Sequence, residues 1–301
     1  MVAYSFLLQI PYILIGIGIV FLLWPYSYRS NLILKMMLGI GLGAGISSFL
    51  FFIYLLIAPG NYKPYLIIEL VLLVFILICL FIPRNRWKQE TPSNGNFKNK
   101  PWYSWLFFFI FVLSVILWIF SFRSYTFMSP HGTFDAYAIW NLRARFIMRG
   151  GENWQSGVSP DLNWKNHPDY PMLTPTLIAR SWTLINEEST RVPIVLSATF
   201  TLGMVGLLFA FLLDARGIIQ ASIGGMILLS TSWVQFFPIT QNADTTLAFY
   251  YLASIGLIYL YTQDSKNRFL ILSGLMAGLS GWTKNEGLVF MAVSTIVLLI
   301  F

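Results

Sequence analysis

Charged residues and cysteine are what this sequence of 301 residues lacks most. Only 10% of its residues are charged and 57% are apolar, whereas a soluble domain carries about 25% charged residues. The single cysteine, Cys79, lies in an apolar run, so an intramolecular disulfide framework is excluded. The composition therefore excludes an ordinary soluble domain and predicts a membrane protein.

The formal net charge of +7 does not point to nucleic acid. In membrane proteins, basic residues concentrate in cytoplasmic loops and contact lipid phosphates. We therefore expect a lipid bilayer, and no nucleic acid, as the partner of this positive charge.

Nine apolar runs come close to the length of about 20 residues that a helix needs to cross a bilayer. They lie at 4–24, 36–57, 65–82, 103–122, 192–213, 218–237, 245–261, 269–282 and 287–301. The sequence thus predicts an all-α polytopic membrane protein with about nine transmembrane helices.

The distribution of Lys and Arg predicts the orientation of these helices. With the N-terminus outside, ten basic residues fall in the short inner loops, and only Lys63 and Lys284 fall in the short outer loops. This topology puts the segment 123–191 outside, and a loop of roughly 70 residues is usually functional. Helical spacing at 135–149 and 174–186 predicts two helices in this loop that lie along the membrane surface.

A polar, basic stretch at 83–102 is rich in turn-forming residues and predicts a cytoplasmic linker. It would separate amino-terminal transmembrane helices at 1–82 from a core at 103–301. The chain stops at Phe301 within an apolar run, and two alternatives stay open: the sequence is a fragment of a longer protein, or the protein ends at that residue.

Most of the acidic residues fall on the outer side of this topology. They are Asp135, Glu152, Asp161, Asp169, Glu187, Glu188, Asp244 and Glu286. Asp135 and Asp244 each precede a helical pattern, where an Asp commonly caps the helix. An ionised carboxylate beside a lipid-facing cleft also suits a general base for an incoming hydroxyl group, and both interpretations stay open.

Basic residues on the same side are candidate phosphate contacts. Arg143, Arg145 and Arg149 lie on the first surface helix, where arginines ordinarily meet lipid headgroups. Arg143 or Arg145 could instead hold one particular phosphate in a bidentate contact. Lys284 is either loosely paired with Glu286 or neutralises a phosphate leaving group.

Other polar side chains predict contacts to substrate or metal. Asn242 and Asp244 are suited to hydrogen bonds with sugar hydroxyl groups. His167 and Asp169 lie in a turn bounded by prolines, and with His131 they would hold a divalent cation if the loop folds back, because metals generally need three or more ligands. No other cofactor is indicated.

Three short motifs, in this order, carry a family resemblance. Phe-Asp-Ala-Tyr at 134–137 follows a span, Gln-Asn-Ala-Asp occupies 241–244, and Gly-Leu-Ser-Gly-Trp-Thr-Lys-Asn-Glu-Gly occupies 278–287. Residues 103–301 thereby resemble the GT-C superfamily of membrane glycosyltransferases. The similarity is to the family 39-like group, which includes protein O-mannosyltransferases and the lipid A aminoarabinose transferase.

The resemblance implies transfer of a sugar from a polyprenyl-phosphate donor to a hydroxyl group of a lipid, glycan or protein acceptor. The reaction would take place at the extracytoplasmic face of a membrane, for example a bacterial inner membrane. Asp135 matches the family's catalytic acid, although Ala136 stands where members often carry a second acid. In an inverting displacement Asp135 would take the acceptor's proton, Lys284 with Arg143 or Arg145 would stabilise the leaving phosphate, and Tyr137 would flank the sugar or the isoprenoid.

Two other classes of protein remain as alternatives. The first is a polytopic transporter or lipid flippase without glycosyl-transfer activity, although the polar residues gather at one face and transporters place their sites near the midplane. The second is a non-catalytic scaffold.

Overall fold

The computed structural model describes residues 2–25, 32–62, 64–82 and 101–300, and all regular elements among them are helical. The α-helices are α1 (Val2–Leu7), α2 (Ile10–Leu23), α3 (Leu32–Ile57), α4 (Tyr65–Phe81), α5 (Trp102–Met128), α6 (Asn141–Gly150), α7 (Leu173–Ile185), α8 (Arg191–Arg216), α9 (Ile218–Ser230), α10 (Ser232–Thr240), α11 (Asp244–Asp264), α12 (Asn267–Thr283) and α13 (Asn285–Ile300). A π-helical turn, Ala136–Trp140, leads into α6, and 3₁₀ turns occupy Gly151–Val158 and Trp164–Asn166. The expected all-α class is confirmed for the described residues.

Within the described residues, five helical segments are long and apolar enough to cross a bilayer. They are Ser5–Leu23, Leu32–Ile57, Trp102–Met128, Arg191–Arg216 and Asp244–Asp264. The bent pair of α9 and α10 makes six if it counts as one span. Such a set of helices is compatible with a polytopic membrane protein, whereas the count of nine spans stays a prediction. The basic linker falls mostly at 83–100, outside the described residues.

The span predicted at 218–237 is wrong in one respect, because it is two helices that meet at an angle of 58°. The break falls at Thr231, whose backbone is extended and whose hydroxyl accepts a hydrogen bond from the backbone N–H of Val234 at 3.3 Å. Gln235 Nε2 donates to the carbonyl oxygen of Leu229 at 2.6 Å. Side chains thus satisfy backbone groups that the interrupted helix leaves open, which makes a break tolerable in an apolar environment.

The helix α7 is packed inside the protein, whereas the sequence predicted a helix with one side open to the membrane surface. All residues from Leu173 to Trp182 are buried, and α7 packs against α3, α6, α8 and α12. Thr176, Arg180 and Ser181 of α7 have hydrogen-bond partners inside the protein. Thr176 Oγ1, for example, lies 2.7 Å from Ser48 Oγ of α3. A helix with such internal partners needs no water or headgroups on its polar side.

A buried ion pair ties α7 to α4. The guanidinium of Arg180 and the carboxylate of Glu69 have no solvent exposure, and two N–H groups of Arg180 donate to the two oxygens of Glu69. Arg180 Nη1 also donates to the carbonyl oxygen of Leu8 at 2.9 Å, at the break between α1 and α2. The Ser47 hydroxyl donates to Glu69. This network fixes α7, and with it the loop that precedes α7, to the amino-terminal helices.

Candidate active site

Four connecting segments meet at one end of the helices. They are residues 130–135, 166–170, 240–244 and 284–286, and we call them the loop cluster. The first and third are joined by the backbone N–H of Thr133, which donates to the carbonyl oxygen of Thr240 at 3.3 Å, and by Gln241 Nε2, which donates to that of Pro130 at 3.1 Å. The second and fourth are joined by Asn285 Nδ2, which donates to Asp169 Oδ2 at 2.6 Å.

Lys284 connects the third and fourth segments. It is the single residue between α12 and α13, and its backbone is extended. Its Nζ lies 3.0 Å from Asp244 Oδ1 and 3.3 Å from Glu286 Oε1. Burial lowers the pKa of Lys284, but the hydrogen bond and charge of Asp244, together with the charges of Glu286 and Tyr170, more than offset this effect, so the pKa is raised overall. Lys284 is therefore a fixed cation.

Asp244 does not cap α11, so that interpretation is wrong. The residue is already the first of the helix, after Ala243, and its carboxylate is bonded to Lys284. A negative charge in the first turn of a helix is favoured by the helix dipole. Asp244 therefore neutralises Lys284 and also stabilises the N-terminal turn of α11.

Three aromatic rings form a ladder beside Lys284. The ring of Tyr170 stacks on Trp140 at 5.5 Å between centroids and on His167 at 4.5 Å. Lys284 Nζ lies 5.4 Å from the centroid of Tyr170, within the range of a cation–π contact. Trp140 is buried, whereas the side chain of His167 is 37% exposed. His167 has a φ of +45°, which is uncommon for a residue other than glycine.

The candidate metal ligands are not assembled. Nδ1 of His167 lies 3.9 Å from Asp169 Oδ1, but His131 is exposed in a different segment. No three His, Cys, Asp or Glu side chains of the described residues come close enough together to hold a metal ion. The proposed set of His131, His167 and Asp169 is wrong for this arrangement, because the loop folds Asp169 towards Asn285 instead.

Asp135 is half-buried and does not cap a helix. Its backbone is already helical, and its side chain makes no capping hydrogen bond. Within the described part of the chain, its carboxylate has no hydrogen-bond or ion-pair partner. The N-cap interpretation of Asp135 is therefore wrong. The carboxylate precedes a π-helical turn, an element that is frequent at functional sites.

Residues next to Asp135 hold the segment 130–135 against the segment 240–244. A Cβ atom at Gly132, whose φ is +69°, would lie 2.6 Å from the Thr240 carbonyl oxygen, so only glycine permits this approach. Thr133 Oγ1 lies 3.5 Å from Asn242 Oδ1. Tyr137 is exposed, with its ring edge against the exposed Phe134. Asp135 and Asp244 thus each lie two residues from the contact between Thr133 and Asn242.

Arg143 points inward, so the interpretation that it meets lipid headgroups from a surface helix is wrong. It is 1% exposed, and its Nη1 donates to the carbonyl oxygen of Tyr170 at 2.6 Å. Burial lowers its pKa to about 10, although the charge of Asp169 opposes this shift. Arg143 therefore supports the loop that carries the aromatic ladder, and a direct phosphate contact stays a prediction.

Arg145 and Arg149 share Glu188, which lies in the connection between α7 and α8. Arg145 Nε lies 3.2 Å from Glu188 Oε2, and Arg149 donates to both oxygens of Glu188. Partial burial raises the pKa of Glu188, but the two arginines more than offset it and the pKa is lowered. The guanidinium of Arg145 also lies 5.8 Å from the centroid of Trp182. Glu188 engages only Nε of Arg145, so a phosphate contact by the other N–H groups of this guanidinium stays a prediction.

Buried polar atoms without a partner concentrate around the loop cluster. Among the described residues, six of them are Trp140 Nε1, Asn141 Oδ1, Arg143 Nε, Thr174 Oγ1, Gln241 Oε1 and Thr245 Oγ1. The remaining one, on Asp264, lies at the far end of α11. Such atoms are rare because each loses its hydration without compensation. Their concentration here favours a polar ligand or ordered water at this site.

Sequence reasoning missed Tyr170, Asn285 and Glu188. Tyr170 lies between two prolines, and that pattern predicted only a rigid turn. Asn285 lies between the charged residues Lys284 and Glu286, and this position was the one sequence signal that it belongs to the site. Nothing in the local sequence connects Glu188 with arginines that precede it by about 40 residues.

Comparison with protein-family models, with curated proteins and with solved structures finds no match to this chain.

Proposed function

We propose that the chain is a glycosyltransferase of the bilayer. It transfers a sugar from a polyprenyl-phosphate donor to a hydroxyl group of a lipid, glycan or protein acceptor. In this proposal nine helices span the membrane, and the loop cluster faces the extracytoplasmic side, as in a bacterial inner membrane. The supporting observation is that Asp135 has no partner among the described residues, while Lys284 is held as a cation on the adjoining segments of the same cluster.

The reaction is an inverting displacement. Asp135 accepts the proton of the acceptor hydroxyl group as that oxygen forms a bond to the anomeric carbon. The bond between the anomeric carbon and the phosphate oxygen breaks, and its electron pair leaves with the lipid phosphate. Because that phosphate is stable as an anion, no general acid is needed.

Lys284 stabilises the charge that develops on the leaving phosphate. An ammonium group has three N–H donors. One of them is bonded to Asp244, and Glu286 lies within ion-pair distance of Nζ. Another N–H group is therefore available to a phosphate oxygen without loss of the ion pair with Asp244. The ladder of Trp140, Tyr170 and His167 supplies an aromatic edge for the sugar.

The test is sugar transfer by purified protein in liposomes that contain labelled polyprenyl-phosphate sugars. Asp135→Asn should lower the rate by about 10²–10⁴-fold, the usual contribution of a general base. Asp161→Asn is the matched control, because Asp161 is exposed and bonded only within its own turn to Ser159. Full activity of the Asp135→Asn protein would disprove the general-base role.

A second measurement separates the proposal from a lipid flippase. Transfer of sugar to an acceptor releases the lipid phosphate, whereas a flippase moves the intact donor across the bilayer. If wild-type protein exchanges a fluorescent donor between leaflets but forms no sugar product with any donor tested, the flippase alternative replaces the proposal.

A further inference from the structure

Two adjacent serines of α3 connect the amino-terminal helices to the loop cluster. Ser47 donates a hydrogen bond to Glu69. Ser48 Oγ accepts a hydrogen bond from Trp282 Nε1 at 2.8 Å and lies 2.7 Å from Thr176 Oγ1. Both serines are buried. Ser48 therefore contacts α12, which precedes Lys284, and α7, which follows the loop with Tyr170.

These contacts form a chain of hydrogen bonds with one direction. An indole N–H only donates, so Ser48 is the acceptor of Trp282. The Thr176 hydroxyl donates to the carbonyl oxygen of Met172 at 2.7 Å, so Thr176 Oγ1 accepts the hydrogen bond that the Ser48 hydroxyl donates. Each hydroxyl in the chain donates once and accepts once, and such buried networks stabilise a single arrangement.

The two ends of the chain lie close to groups that face each other in the loop cluster. Trp282 precedes Lys284 by two residues, and Met172 follows Tyr170 by two residues. Lys284 Nζ and the Tyr170 ring are themselves in contact. The hydrogen-bond chain thus connects the segment that carries Lys284 with the segment that carries Tyr170, through Ser48 of α3.

The corner between α12 and α13 transmits the position of Trp282 to Lys284. The backbone N–H of Lys284 donates to the carbonyl oxygen of Ser280 at 3.2 Å, and that of Gly287 donates to the Lys284 carbonyl oxygen at 2.9 Å. The backbone of Lys284 is therefore bonded on both sides. A rotation of the last turn of α12 would move Lys284 with it.

We infer that Ser48 is a positioning residue that keeps Lys284 against Asp244 and Tyr170. The amino-terminal helices then help to position Lys284 in the site, through Ser48 of α3, and are not only an addition to the core. Whether the positioned Lys284 acts on a phosphate rests on the proposed function, but the positioning itself does not.

The test is the rate at which an amine-reactive acetylating reagent labels Lys284 in detergent-solubilised protein. Labelling is measured by mass spectrometry and normalised to the exposed Lys165. In Ser48→Ala and in Trp282→Phe, loss of the hydrogen-bond chain should release Lys284 and raise its labelling by about tenfold. The second variant keeps an aromatic ring against Phe49 and Phe52 and serves if the first does not fold.

The matched control is Ser254→Ala. Ser254 is buried and its hydroxyl also bonds across helices, to Ser273 at 2.9 Å, but it lies at the middle of α11, away from Lys284. If the control raises Lys284 labelling as much as Ser48→Ala does, the effect is general loosening and the inference is overturned. Wild-type labelling in both Ser48→Ala and Trp282→Phe overturns it as well.

Sugar transfer gives the second readout. Lys284 acts on charge that appears in the transition state, so Ser48→Ala should lower kcat and kcat/KM by the same factor and leave KM unchanged. Increased labelling without any wild-type sugar transfer would support the positioning and contradict the proposed function. Unchanged labelling with active enzyme would contradict the positioning alone.

Discussion

Replacement of Glu69 by Gln should strongly destabilise the protein, because Arg180 would become a buried cation without a counter-charge. Both side chains are fully excluded from solvent. Arg180 Nε donates to Glu69 Oε1 at 2.7 Å, Nη1 donates to the Leu8 carbonyl oxygen, and Nη2 donates to the second oxygen of Glu69. The amide introduced by Glu69→Gln would keep one acceptor and would turn an NH₂ group towards the guanidinium.

The expected loss follows from the burial of this pair. Removal of one partner of a buried ion pair costs about 3–5 kcal/mol, because the other charge stays desolvated. Replacement of both partners by apolar residues of similar size is often nearly neutral. The double variant Glu69→Met with Arg180→Met should therefore be more stable than Glu69→Gln alone, even though Ser47 and the Leu8 carbonyl group lose their partners.

The assay is thermal unfolding in detergent at one fixed scan rate. With about 2 °C per kcal/mol for a large domain, the midpoint of Glu69→Gln should fall by roughly 6–10 °C. Glu188→Gln removes the same charge from a more exposed pair and should lower the midpoint far less. A wild-type midpoint for Glu69→Gln, or a double variant that melts as low as Glu69→Gln, would refute the argument that an unpaired buried charge dominates.

Three further predictions concern the loop cluster and its supports. Gly287→Ala should open the corner between α12 and α13, because the added Cβ would overlap backbone atoms of α12. Overpacking costs about 1–3 kcal/mol and is measured as a lower midpoint of thermal unfolding. Gly278→Ala, which has open space around the added Cβ, should show no such loss. Asp244→Asn should lower the pKa of Lys284, since Asp244 supplies the largest effect that raises it, and Lys284 should then be acetylated faster at a given pH. The pKa of Glu188 is lowered in the folded protein. Its pairing with the two arginines therefore stabilises the fold above the pKa of about 4.3 in the unfolded chain, and this contribution disappears as the pH falls. The difference in melting midpoint between wild type and Glu188→Gln should vanish in acid and persist at neutral pH.

The helix positions could be predicted from the sequence because apolar runs and their polar ends are local signals. The run 65–82 corresponds to Tyr65–Phe81, and the run 245–261 lies within Asp244–Asp264. The break at Thr231 was missed because the sequence has no proline or charged residue there to signal it. The side chains of Thr231 and Gln235 satisfy the open backbone groups. The long α5 was underestimated because the predicted run ended at residue 122, before Arg123, although the helix continues to Met128.

The side of α6 that is buried could not be predicted from helical spacing that starts at Asp135. The turn Ala136–Trp140 is π-helical, and a π-helical turn holds more residues than an α-helical one. This shifts every later residue around the helix axis. Arg143 and Ile147 are buried, whereas the apolar Leu142 and Phe146 are only partly buried. The burial of α7 was missed for a different reason, since the partners of Thr176 and Arg180 are more than 100 residues away in sequence.

The four acidic residues of the loop cluster differ in a way that the sequence does not show. Asp244 and Glu286 bond to Lys284, and Asp169 bonds to Asn285. Asp135 is the one of the four that makes no such bond within the described part of the chain. A carboxylate whose lone pairs are already engaged must lose a bond before it can accept a proton, whereas an unengaged one needs only a hydroxyl group within reach. The partners of the other three acids thus support Asp135, more than its helix position does, as the proposed base.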